Sequence, residues 1–225
     1  MATGIGQYGF GAKQHRYAQA GKYFVATNPT PGTGIVSGVV TSLADTTPLL
    51  LLKNNNSVTS GISIIPDFIR FHVTVVGVGH TSPKLTLKID TSQSTTRYTS
   101  GGTAITPVST GMGAGTNTSY AAPTTNAQIY YGAITAAAAG SGVLLDTFQL
   151  KSAIEVVNDT WRIDFGAAGE SIKSALADNS TTISHACFPT VPICLAPQQH
   201  LALHLWAASM STGITTQFTF GYIEV

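Results

Sequence analysis

Charge is what this sequence lacks most. Its 225 residues include 11 basic and 10 acidic side chains, where an ordinary soluble domain devotes about a quarter of its positions to them. A solitary domain keeps neighbours away with a mixed charged surface, so a chain that withholds charge is expected to be covered by other subunits. The net charge is only +1 and the Lys and Arg residues are scattered, which argues against the basic stripe that neutralises nucleic-acid phosphates. Cysteine is nearly absent. Cys187 and Cys194 flank residues 188–193, a spacing that fits neither a redox pair nor a disulfide framework, and both are expected to be buried thiols. A disulfide stays open as an alternative, because Pro189 and Pro192 could fold the segment back.

Long apolar runs are missing as well. Pro48–Leu52 and Ala136–Ala139 are the strongest, far short of the ~20 residues of a membrane-spanning helix. Met1–Phe10 has no basic stretch leading into an apolar one, which predicts no secretory leader and a chain held in the cytoplasm of the producing cell until release.

What is abundant is Thr and Ser, at 51 positions, and a period-two alternation of apolar and polar residues. In Lys84–Asp90, Leu85, Leu87 and Ile89 point one way while Lys84, Thr86, Lys88 and Asp90 point the other. Asp159–Gly166 and Phe68–Val78 repeat the pattern. Further strands are expected at Ile35–Leu43, Leu49–Lys53, Ala127–Ile134, Leu144–Leu150, His200–Ser209 and Thr216–Val225. Only Glu170–Asp178 has helical spacing. Roughly nine strands with irregular connections predict an all-β, two-sheet antiparallel sandwich, best fitted by a jelly roll.

Residues 1–33 read as an extended N-terminal docking arm on a sandwich domain of residues 34–225. Gly4, Gly6, Gly9 and Gly11 loosen it, while Tyr8, Phe10, Tyr17, Tyr23 and Phe24 give it aromatic surface and Lys13, Arg16 and Lys22 a local positive charge. Thr91–Pro123, rich in Ser, Thr and Gly, reads as a surface lobe. His200–Ser209 and Thr216–Val225 read as a hairpin with large side chains on both faces. One face carries His204 and Trp206, which are either buried, between sheets or under the arm, or placed at a subunit interface.

Chemistry is harder to find. Gly4–Gly9 spells GxGxxG, but a dinucleotide fingerprint follows a strand, and three residues precede this one. His185, Cys187, Cys194, His200 and His204 superficially suggest zinc. On a strand, however, residues four apart are separated by roughly 13 Å and cannot share one ion. They are expected to be surface or interface histidines, with no metal, no cofactor and no catalytic residues.

Asn28-Pro29-Thr30-Pro31-Gly32-Thr33-Gly34-Ile35, Arg97-Tyr98-Thr99-Ser100-Gly101-Gly102-Thr103 and Leu203-His204-Leu205-Trp206-Ala207 together resemble uncharacterised structural proteins of tailed bacteriophages of aquatic bacteria. The resemblance implies a virion component on the capsid surface, most simply a homotrimeric decoration or cement protein partnered by itself and by the major capsid protein, without nucleic acid or membrane. Its contacts would come from Tyr8, Phe10, Lys13, Arg16, Tyr17, Tyr23, His204 and Trp206. A host-binding adhesin or tail-associated protein is the alternative.

Overall fold

A computed structural model describes residues 9–93, 97–111, 124–167, 172–173 and 183–225; of residues 9–13 and 172–173 it describes the backbone alone. Among the described residues, one helix, α1 (Gly9–Gln19), precedes fourteen strands: β1 (Tyr23–Thr27), β2 (Ile35–Val36), β3 (Leu50–Asn54), β4 (Ile64–Val75), β5 (Lys84–Asp90), β6 (Tyr98–Ile105), β7 (Val108–Ser109), β8 (Ala127–Ala136), β9 (Gly142–Gln149), β10 (Thr160–Phe165), β11 (Ile172–Lys173), β12 (His185–Thr190), β13 (His200–Trp206) and β14 (Thr215–Glu224).

These strands form two packed sheets. Sheet A runs β11-β12-β10-β4-β14-β1-β7, with β2 also paired to β14, and sheet B runs β6-β8-β3-β13-β5-β9. Among the described strands all pairings are antiparallel except β10 with β12. The alternation seen in the sequence fixes the faces. Leu85 and Leu87 of β5, Leu201, Leu203 and Leu205 of β13, and Phe218, Phe220 and Tyr222 of β14 all enter one buried core. Aromatic rings lock the sheets together across it. Tyr131 of sheet B stacks on Phe218 and Phe71 of sheet A, with ring centroids 4.0 and 6.2 Å apart, and Phe148 meets Phe188 at 5.0 Å.

Sheet B is covered on its other face too. Instead of continuing as a strand through Leu43, as expected, the chain leaves β2 after Val36, and residues 37–49 cross this face. Ala207 N–H donates to Val40 O, Ala136 N–H to Thr46 O and Gly132 N–H to Leu49 O. A second apolar cluster, Leu51, Ile134, Ala136 and Ala202, is sealed there with Tyr98 and Tyr130 packed against it.

Several expectations change. His200–Trp206 and Thr215–Glu224 do not form a hairpin, because they lie in opposite sheets and the intervening residues cross the sandwich. Ile172–Lys173, inside the segment with helical spacing, is a strand paired to β12, and the rest of residues 170–178 lies outside the described residues. The supposed lobe contains β6 and β7, the first paired to β8 throughout its length. Nor is the stretch read as an arm extended throughout. Tyr23–Thr27 is an interior strand between β14 and β7, and Gly9–Gln19 is helical rather than extended. The chain turns out of the helix at Gly21, whose φ of 69° suits glycine. Lys22 N–H donates to Tyr17 O and Gly21 N–H to Ala18 O, satisfying two of the last carbonyls.

Candidate assembly surface

The expected contact residues scatter when placed on the fold. Tyr8 lies outside the described residues, and Phe10 and Lys13 fall on α1. Arg16 is exposed and Tyr17 half-buried on the same helix. Tyr23 is turned inward. Its hydroxyl donates to Asp67 Oδ2 at 2.6 Å, and the Gln14 amide donates to the same oxygen at 2.6 Å, which ties α1 to β4. Burial and the Asp67 carboxylate raise the Tyr23 pKa.

His204 cannot meet a neighbour, because its exposure is 0%. The face it shares with Trp206 is the one closed by residues 37–49, so this chain itself provides the cover expected from a partner. Burial first, then the Lys88 and Arg97 cations against the Asp45 carboxylate, pull the His204 pKa down to about 4. The Thr47 backbone lies alongside, yet neither ring nitrogen completes a hydrogen bond. Trp206 is half-buried and occupied at home: its Nε1 donates to Thr86 Oγ1 at 2.9 Å, and Lys84 Nζ sits 4.6 Å from its ring centroid.

The other His and Cys residues are separated by the sandwich. His185 and Cys187 lie on β12 of sheet A, while His200 and His204 lie on β13 of sheet B. No group of three or more His, Cys, Asp or Glu among the described residues is placed to hold a metal ion. His200 is fully buried rather than at a surface. Both cysteines are free, and the expectation that both are buried fails at Cys194, which is exposed, and at Cys187, which is half-buried. The Cys187 thiol donates to Asp164 Oδ2 at 3.0 Å, and burial together with that carboxylate pushes its pKa up to about 11. It therefore stays protonated and unreactive at neutral pH.

What this chain does offer to others are features that sequence reading passed over. Among the described residues, strand β9 is the terminal strand of sheet B, bonded to β5 alone. Its Val143 and Leu144 are 46% and 57% exposed, and Asp146 is its one charged residue. Edge strands of monomers are normally blunted by Lys, Pro or repeated bulges, because their open N–H and C=O groups invite another strand. The opposite edge, β6, has such protection: two register shifts against β8, with Gly101 and Gly102 at φ of 75° and 64°. Here β9 carries one bulge, opposite Leu87 and Lys88. The consecutive apolar residues Val143, Leu144 and Leu145, with no nearby Lys or Pro, were the sequence signal.

The outer face of sheet A forms a second open surface, a polar groove of about 500 Å³ lined by Thr27, Asn28, Arg70, His72, Gln217 and Thr219 among others. The chain matches no protein-family model, no curated protein and no solved structure.

Proposed function

We propose that this is a virion structural protein of a tailed bacteriophage, a homotrimeric decoration or cement protein with a jelly-roll fold that stabilises the capsid shell. The strand pairing carries the reading. The chain runs out through β1, β3, β4 and β5 and returns through β9, β10, β13 and β14, and the halves pair in nested order: β1 with β14, β3 with β13, β4 with β10, β5 with β9. Rolling this long antiparallel hairpin adds β4 to β14 and β5 to β13, which supports the jelly roll. That architecture recurs in viral capsid and lectin domains. The charge-poor composition and the open β9 edge favour the assembling member of that pair.

Copy-to-copy contact along β9 makes a direct prediction. Replacing Val143 and Leu144 together by Lys places two charges where another strand would pair, and both side chains already face solvent, so folding is expected to be unchanged. Sedimentation should show the native chain as a trimer and the double variant at least about tenfold more dissociated. A native chain that stays monomeric at high concentration refutes the reading. Shell contact is tested separately by removing residues 2–13, which spares β1 and the Gln14–Asp67 hydrogen bond. Lower occupancy on capsids is expected, and unchanged occupancy removes this segment from the mechanism.

The groove on sheet A favours a second reading, an adhesin or tail-associated protein that recognises host glycans. Binding on a glycan array that Arg70→Ala abolishes would select it.

A further inference from the structure

The outer face of sheet A follows from the same alternation that fills the core. Ile69, Phe71 and Val73 of β4 point inward, so Arg70 and His72 point out. Register sets Thr160 of β10 and Gln217 of β14 on either side of His72, and Thr219 of β14 beside Arg70 with Thr27 of β1 beyond it. These six side chains line the polar groove of about 500 Å³, a volume within the range of small-ligand sites. One wall is fixed before any ligand arrives. Asn28 Oδ1 accepts Phe218 N–H at 2.6 Å and its Nδ2 donates to Thr33 O at 2.9 Å, which clamps residues 28–33 against β14 and brings Pro31 and Gly32 to the groove. A wall already in place spares a ligand the cost of ordering it.

The groove carries one permanent charge, Arg70, and no lining acid. Arg162 stands directly opposite Arg70 on β10, and like charges in that position repel. The fold parts them. Arg162 gives Nε to Asp164 Oδ1 at 2.7 Å and lies 4.8 Å from the centroid of the Phe68 ring, and none of these three residues lines the groove. Arg70 reaches the other way, over β14, with Nη2 3.4 Å from Thr219 Oγ1. Among the described residues that contact is its one hydrogen bond, and it belongs to no ion pair. Its side chain is exposed, so the remaining N–H groups of the guanidinium are accessible from solvent.

Building on the glycan reading of this groove, we propose that it takes a carboxylate-bearing sugar, such as a uronic acid unit of a polysaccharide, with the carboxylate on the open edge of Arg70 and ring hydroxyls on His72, Gln217 and Thr160. A planar guanidinium with free N–H groups matches a carboxylate in bidentate geometry, and one cation without a lining acid balances a single negative charge. The Gln217 amide and the Thr160 and Thr219 hydroxyls both donate and accept, as sugar hydroxyls require. All the lining residues come from one chain, so binding is independent of how copies assemble.

An array tests this with the full chain. It carries glycans of glucuronic, galacturonic and N-acetylneuraminic acid, the same glycans with the carboxylate reduced to an alcohol, and sulfated glycans. Binding confined to the carboxylates is expected. Arg70→Gln, at an exposed position with one long hydrogen bond, should fold normally and weaken that binding at least about tenfold, while Arg162→Gln, outside the groove, should leave it unchanged. Equal binding to the reduced glycans, or binding to sulfated glycans alone, overturns the carboxylate assignment and leaves the glycan reading standing. Carboxylate binding that Arg70→Gln does not weaken puts the sugar elsewhere and also overturns it. A blank array overturns both.

Discussion

Lowering the pH from 7 to 4 is expected to remove roughly 3 kcal/mol of stability for each of His200 and His204, an order-of-magnitude figure from one pKa unit being worth about 1.4 kcal/mol. Both residues sit on the covered face of β13, and both have pKa values drawn from 6.5 to about 4. Burial is the largest cause at each. At His200, Arg97 and Lys53 add to it against Asp90; at His204, Lys88 and Arg97 add to it against Asp45. Between these two pH limits the unfolded chain binds a proton at each ring and the folded chain does not, so stability falls steadily as pH drops through this window and levels off below it. The nearby carboxylates act in a different range. Burial pushes Asp45 and Asp90 upward, but Lys88 at Asp45, and the Ser92 and Ser141 donors with Arg97 at Asp90, hold both below the usual carboxylate value. Their contribution is lost only at more acid pH. Chemical denaturation at pH 7, 6, 5 and 4 measures the slope. His204→Leu, which also removes two ring nitrogens without partners, should flatten it by about half. A stability curve that is level from pH 6.5 to 4.5 excludes this account.

The same face shows why half of the architecture was legible and half was not. Alternation in Lys84–Asp90 placed Leu85 and Leu87 in the core correctly, because a strand with one face on the core must alternate. It could not show that Thr86 and Asp90, on the polar face, are buried as well, since the cover comes from residues 37–49, distant in sequence and without periodicity. For that reason the sequence leaves His204 and Trp206 open between burial and an interface. Strand β6 was hidden by its glycines. Thr99-Ser100-Gly101-Gly102-Thr103 reads as a loop, yet Gly101 is needed where a Cβ would lie 2.4 Å from Ala133 O, at a bulge in the pairing with β8. Strand β12 was hidden by Pro189, which argues against a strand flanked on both sides. The separation of β13 from β14 was missed because neighbours in sequence usually pair, and this sandwich breaks that habit by pairing strands from opposite ends of the chain.

Asp159→Ala is expected to cost about 3–5 kcal/mol, the range for breaking one side of a buried ion pair. Its carboxylate and the Lys151 ammonium are both 0% exposed and 3.2 Å apart. The carboxylate also organises the backbone. Oδ2 accepts Val156 N–H at 2.8 Å, and Oδ1 accepts Ser184 N–H at 2.6 Å and the Ser184 hydroxyl at 3.1 Å. It thereby joins the turn before β10 to the residue that precedes β12, holding the parallel pair of sheet A in register. Alanine takes the Asp159 carboxylate from a buried ammonium and strips both amides of their acceptor, and neither loss can be repaired by water without opening the core. For a chain of this length, each kcal/mol lowers the melting temperature by about 2–4 °C, so a fall on the order of 10 °C should accompany the change. Replacing both partners, with Lys151→Met and Asp159→Leu, should recover part of the loss by removing the buried ammonium together with its carboxylate, while the amides stay unsatisfied. The exposed pair Arg162–Asp164, at 2.7 Å with side chains 45% and 24% exposed, is the internal control: Arg162→Ala should cost under about 1 kcal/mol. If Asp159→Ala costs no more than that control, the Asp159 cluster does not hold β10 and β12 together.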